Sequence, residues 1–194
     1  MKQGDNTRQH IIDVANELFY HQGYSNTSFA NIVDKTGLSK GNITYHFKNK
    51  KTILEEIVNK RLTDIDDLLH EWNEEIGHPV SRLMRFCEML VSEQDDIKSY
   101  GCPMGTLTGE FSKNEPELYS IALPMFQRFR GWLKQQYRLL DCTPKQADEK
   151  ALELLSRVQG IAVVTHAFKD KAFLNREIGK LKDFIRYEYG GASC

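Results

Sequence analysis

The stretch TGLSKGNITYHF, from Thr36 to Phe47, sets two glycines four residues apart and then resumes a helical pattern. Upstream, the spacing fits a short helix from Thr27 to Thr36, with Thr27 as its cap and Phe29, Ile32 and Val33 facing inward. Gly37 follows as a turn, because a left-handed backbone costs glycine little. Leu38 is an apolar plug, Ser39 caps a third helix, and Ile43 and Phe47 supply its buried face. Gly41 falls inside that helix, where glycine is about 1 kcal/mol less favourable than alanine. A bare backbone there is expected where another surface comes very close.

Two short helices joined by a glycine turn make a helix-turn-helix, whose second helix enters the major groove of DNA. The third helix would expose Ser39, Lys40, Asn42, Thr44 and Tyr45, side chains able to bind phosphates and base edges. Between Lys35 and Lys51 there are five lysines (35, 40, 48, 50 and 51) and no acidic residue. Clustered lysines beside a groove-reading helix give salt-dependent attraction to phosphate. Charge alone would fit a solvated lysine face equally well. The turn spacing and the polar helix face decide for DNA.

Working outward, TRQHIIDVANELFYHQG carries an apolar stripe of Ile11, Ile12, Ala15, Leu18 and Phe19, and Gly23 stops the helix. A fourth helix starts at the cap Asn49 and runs through Ile53, Leu54, Ile57, Val58, Leu62, Ile65, Leu69 and Trp72 until GHP at 77–79. Further helices are expected over about 80–94, 104–112, 115–140, 143–168 and 175–189. Thr143, Pro144 and Gln146 form a capping box with proline at the first helical position.

The whole chain has a formal net charge of −1, so it does not advertise a polyanion partner; the basic signal is local. No apolar run approaches the roughly 20 residues that span a bilayer, and the polar N-terminus lacks a signal peptide's apolar stretch, so a cytoplasmic protein without membrane contact is expected. Cys87, Cys102, Cys142 and Cys194 are widely spaced and form no CxxC pair, which implies neither a zinc site nor a disulfide framework.

Residues from about 8 to 55 resemble the DNA-binding domain of TetR-family transcriptional regulators. The resemblance rests on ANELFYHQGY, Thr27, Phe29, Ile32, TGLSKGNI, YHF, Lys50 and Leu54 in the family's order and spacing. It implies a helix-turn-helix domain over 1–52 and a larger helical ligand-binding and dimerisation domain over 53–194. It further implies a homodimer that represses from a pseudo-palindromic double-stranded operator until a small molecule releases it. Residue by residue, Thr27 and Lys50 match phosphate contacts, while Lys40, Asn42 and Thr44 match groove-facing positions. Tyr45 and His46 match the aromatic end of the recognition helix, and Ser39 and Gly41 belong to the same surface. Many members have tyrosine where this chain has Thr44. Either Tyr45 takes over that contact or Thr44 reads a thymine methyl.

In the remainder, small residues around Gly101 to Gly109 fit a bending chamber wall. Phe86, Cys102, Met104, Leu107, Phe111, Met125, Phe126, Phe129 and Trp132 are the expected ligand-pocket residues. The segment from Gly160 to Ala167 is apolar around much of its circumference and must be buried on several sides. The family's last two helices pair into a four-helix bundle between subunits, so Leu155, Val158, Gly160, Ala162, Val163, Phe184 and Ile185 are the expected dimer interface. An all-α DNA-binding regulator follows, with no catalytic residues, metal or cofactor. Two alternatives stand beside it. One is a redox or electrophile sensor acting through Cys102, which would start a helix where dipoles favour thiolate. The other is a helical-bundle enzyme, for which the sequence has no metal spacing, phosphate loop or acid–base pair.

Overall fold

The computed structural model of the protein describes residues 2–113 and 115–190. Among these residues the chain is all-α: α1 Lys2–Gln22, α2 Phe29–Thr36, α3 Lys40–His46, α4 Lys50–Glu75, α5 Pro79–Ser92, α6 Gln94–Tyr100, α7 Pro103–Phe111, α8 Pro116–Arg138, α9 Pro144–Phe168 and α10 Lys171–Tyr189. Cys194 lies outside the described residues.

The helices form two compact units. The first holds Met1–Asp64 with Thr106–Met125, and the second Ile65–Gly105 with Phe126–Cys194. The first unit thus takes in part of α4, most of α7 and the start of α8 in addition to the segment 1–52. Pro124, which removes one hydrogen bond from the ladder of α8, stands beside that change of unit.

In the first unit, Ile11, Ile12, Ala15 and Phe19 of α1 are buried, together with Ile32, Ile43, Phe47, Ile53, Leu54 and Ile57. Each of these isoleucine, leucine and phenylalanine side chains contributes roughly 1.5–3 kcal/mol on burial, which holds short α2 and α3 that would not be stable alone. Arg61 closes the unit by donating to Asn16 Oδ1 at 2.6 Å, tying α4 to α1.

In the second unit α10 packs on α5 and α9, and α6 on α9. Leu83, Phe86, Cys87, Leu90, Phe129, Leu133, Leu154, Val158, Leu174 and Ile178 are buried there. The helix α6 has no counterpart in the sequence reading. Within the protomer, Ala162 and Thr165 of α9 are buried, whereas Gly160, Ala167 and Phe168 are exposed and Val163 is 64% exposed. One face of α9 is core and the other is open surface.

Candidate nucleic-acid interface

Local caps build the site. Gly23 (φ +89) ends α1, and Gly37 (φ +69) ends α2 with its N–H donated to Val33 O. The α2 cap is Ser28 rather than Thr27. Its hydroxyl accepts from the Asn31 N–H at 3.1 Å, and Asn31 Oδ1 accepts from the Ser28 N–H at 2.8 Å. Thr27 is instead fully buried, and its hydroxyl donates to Gly23 O at 2.7 Å. Buried hydroxyls need such partners, so its side chain serves the turn and is not free to reach out.

Ser39 caps α3 as the sequence predicts, accepting from the Asn42 N–H at 3.2 Å. Ile43 and Phe47 anchor the helix, and Lys40, Gly41, Asn42, Thr44 and Tyr45 form its exposed face, with Tyr45 85% exposed. The Thr44 hydroxyl donates back along its own helix to Lys40 O at 3.0 Å. Half-buried His46 sets its ring edge-on to Tyr45, 5.1 Å between centroids. A Cβ on Gly41 would meet only Ser39 Oγ, at 3.9 Å, so nothing inside the protein requires glycine there.

Between α2 and α3 lies an open cleft of about 340 Å³ lined by Thr27, Ser28, Phe29, Lys40, Thr44, Lys48, Asn49 and Lys50. The five lysines have different tasks. Lys35 lies 4.0 Å from Glu17, and Lys51 pairs with Glu117. The Lys50 ammonium donates to Tyr24 O at 2.7 Å and to Thr27 O at 2.8 Å, and lies 4.0 Å from the Tyr24 ring centre. Burial holds its pKa below the ordinary lysine value, against the opposing pull of Glu110 and Glu115. Lys40 and Lys48 remain exposed on the cleft. Ser28 and Asn49 are therefore cleft residues that the sequence reading did not assign to the site, and Lys48 entered that reading only as one of the five clustered lysines. The spacing of Ser28 and Asn31 was the available signal for the first of them.

The expected pocket residues divide between the units. Leu107, Phe111 and Met125 are buried in the first, where the Phe111 ring packs edge-on to Tyr24 at 5.2 Å. Phe86, Cys102, Met104, Phe129 and Trp132 are buried in the second, and Phe126 is half-buried. The Phe86 and Phe129 rings lie tilted to one another with 5.4 Å between centroids, as do Trp72 and Trp132 at 5.6 Å. Asn73 Oδ1 accepts from Trp132 Nε1 at 3.1 Å, but Trp72 Nε1 is buried without a hydrogen-bond partner among the described residues. Sequence reasoning did not identify this polar lining of an aromatic core.

Of the expected dimer residues, Leu155, Val158, Ala162 and Ile185 are buried within the protomer, where they pack its own core. Gly160, Val163 and Phe184 are exposed, alongside Leu152, Phe168 and Tyr187. Cys102 is 8% exposed and its sulfur accepts from Gln159 Nε2 at 3.4 Å. Burial pushes the Cys87 thiol up to about 12. Among the described residues, no group of three His, Cys, Asp or Glu side chains could hold a metal ion, and no helix is long and apolar enough to cross a membrane.

Comparison with known proteins agrees with this geometry. The profile of the family described as bacterial regulatory proteins, tetR family, matches residues 11–57. The HTH-type transcriptional regulator AcrR of Shigella flexneri is 39% identical over 83 residues, 42% of this chain and 39% of that protein. The uncharacterized HTH-type transcriptional regulator YxaF of Bacillus subtilis is 25% identical over 171 residues, 87% of this chain and 89% of its own. The crystal structure of a TetR-family transcriptional regulator from Agrobacterium tumefaciens superposes with a TM-score of 0.83 at 18% identity, covering 93% of this chain and 98% of that one. Residues 11–57 thus match the tetR family of bacterial regulatory proteins, and the all-α chain as a whole is similar to HTH-type transcriptional regulators and shares the fold of a TetR-family regulator.

Proposed function

We propose that this regulator is a homodimeric, cytoplasmic repressor that binds a palindromic operator and is released by a small-molecule effector. The observation that carries DNA recognition is the exposed face of α3. Lys40, Asn42, Thr44 and Tyr45 stand out from a helix anchored by fully buried Ile43, and Gly41 leaves its first turn bare. Lys40 and Lys48 supply phosphate attraction, Ser28 and Asn49 add short polar donors, and Ser39, His46 and Lys50 hold the surface in place. The segment 1–52 is the DNA-reading part, and 53–194 carries effector binding and dimerisation.

The dimer is supported by exposed Val163, Phe168, Phe184 and Tyr187 on the last two helices. An apolar face of this kind on a soluble protein marks an association surface. For the effector, the expected pocket residues Phe86, Phe129 and Trp132 lie in the aromatic core of the second unit. An effector can release DNA only by binding one spacing of the two α3 helices better than the other. Reversible binding is preferred to thiol chemistry because Cys102 is more than nine-tenths buried.

The test is selection of duplexes from a random-sequence library by the purified protein, followed by titration and sedimentation of the complex. A two-fold symmetric enriched site bound by a dimer supports the reading. No enrichment over a no-protein control would exclude it.

A further inference from the structure

The turn between α1 and α2 is held by a side chain from far along the chain. Glu110, at the end of α7, accepts from two consecutive backbone N–H groups: Tyr24 to Oε2 at 3.0 Å and Ser25 to Oε1 at 2.6 Å. Successive amides converging on one carboxylate form an anion-binding concavity, and bonds to an ionised acceptor are roughly twice as strong as neutral ones. Gly23 opens the way with its positive φ of +89, and a Cβ there would lie 3.4 Å from Glu110 Oε2. Next to Glu110, Phe111 sets its ring against Tyr24.

The carbonyl groups of the same turn are taken by a cation, since the Lys50 ammonium donates to both Tyr24 O and Thr27 O. One turn is thus gripped through its amides by a carboxylate and through its carbonyls by an ammonium. A further tie joins α8 to α4, where Glu117 pairs with Lys51 beside Lys50. The turn leads directly into Ser28, the cap of α2 and a wall of the basic cleft. Its backbone geometry therefore sets where Ser28 stands relative to Lys40 and Lys48.

We propose that Glu110 is a positioning residue for DNA binding. It fixes the α1–α2 turn in the geometry that presents the start of α2 to phosphate, without touching DNA itself. The segment 106–125 thereby controls DNA affinity through one carboxylate. The proposal rests on the DNA-binding reading above.

The experiment compares Glu110→Ala, Glu110→Gln and the unaltered protein in amide hydrogen exchange, thermal unfolding and titration with the library-selected duplex. The alanine variant is expected to lose protection at Tyr24 and Ser25 and to bind the duplex about tenfold or more weakly. Its salt dependence should stay unchanged, because Lys40 and Lys48 are intact. Glutamine keeps an acceptor oxygen and should recover part of both losses, which also serves if the alanine variant folds poorly. A lowered melting temperature with unchanged affinity of the folded protein would make Glu110 merely stabilising and overturn the proposal. So would unchanged exchange at Tyr24 and Ser25. If the unaltered protein enriches no duplex, the DNA reading falls and this proposal with it; failure confined to the Glu110 variants overturns the proposal alone.

Discussion

The Lys50 ammonium lies 4.0 Å from the centre of the Tyr24 ring and donates to the Tyr24 carbonyl at 2.7 Å, with a second bond to Thr27 O at 2.8 Å. Lysine at this place reads from sequence as a phosphate ligand. Its geometry makes it first a pin for the α1–α2 turn, and the exposed charge on the cleft belongs to Lys40 and Lys48.

That division separates two variants. Lys50→Met leaves two carbonyls without their charged donor and should destabilise the protein by about 1–3 kcal/mol. Lys48→Ala should leave stability within about 0.5 kcal/mol. It should instead lower the salt slope of DNA binding by about 0.9, one phosphate contact. Urea unfolding and salt-dependent titration on the same preparations distinguish the two roles.

Tyr24 gives a pH signature. Burial first, then the charges of Glu115, Glu110 and Glu55, raises its phenol from 10.0 to about 12. A raised folded pKa means stability that is fully present below pH 10, where the unfolded phenol ionises, and lost as pH climbs through about 12. Tyr24→Phe removes this titration. Between pH 10 and 12 its melting temperature should fall less steeply than that of the unaltered protein, followed by circular dichroism.

Caps and turns were the legible part of this fold. Gly23, Gly37, Ser39, Asn49 and Thr143 stand where the sequence puts them, because each acts on amides within a few residues. The α2 cap slipped by one residue, since Thr27 and Ser28 are both competent caps and only burial tells them apart. Helix α6 was missed because its N-cap, Glu93, makes no side-chain cap bond to announce it. The Glu110 grip spans a separation of 86 residues to Tyr24, and no local pattern encodes such a contact. Periodicity also cannot say whose core an apolar position joins, which is why Ala162 and Val163 looked alike.

Those two neighbours now predict opposite outcomes. Ala162 is fully buried, and Ala162→Glu strands an unpaired charge in the core at a cost of several kcal/mol, so it should misfold. Val163 is 64% exposed in the protomer, so Val163→Glu should fold. If that face is the dimer seam, sedimentation should find the second variant monomeric and weak on the selected duplex. A folded dimer would place the seam elsewhere.

Thiol chemistry has its own check. Cys87, Cys102 and Cys142 are all buried, and Cys87 is pushed up to about 12. In a Cys194→Ser background, the folded protein at pH 8 should react with a disulfide reagent only as fast as it opens, and quickly once denatured. Rapid reaction of one thiol in the folded state would revive Cys102 as the sensor.

The central claim, that α3 presents this face to DNA, is tested most directly at Gly41. Beyond its chain neighbours and the backbone of its own helix, a Cβ built there meets only Ser39 Oγ at 3.9 Å, so neither Gly41→Ala nor Gly41→Leu should disturb folding, and either can raise helix stability by a fraction of about 1 kcal/mol. The measurement is thermal unfolding paired with titration of the selected duplex for Gly41→Leu. A melting temperature held within a few degrees, with specific binding lost, is the predicted result. A variant that folds and binds as tightly as the unaltered protein would contradict it, and Lys40, Asn42 and Thr44 would leave the groove with Gly41.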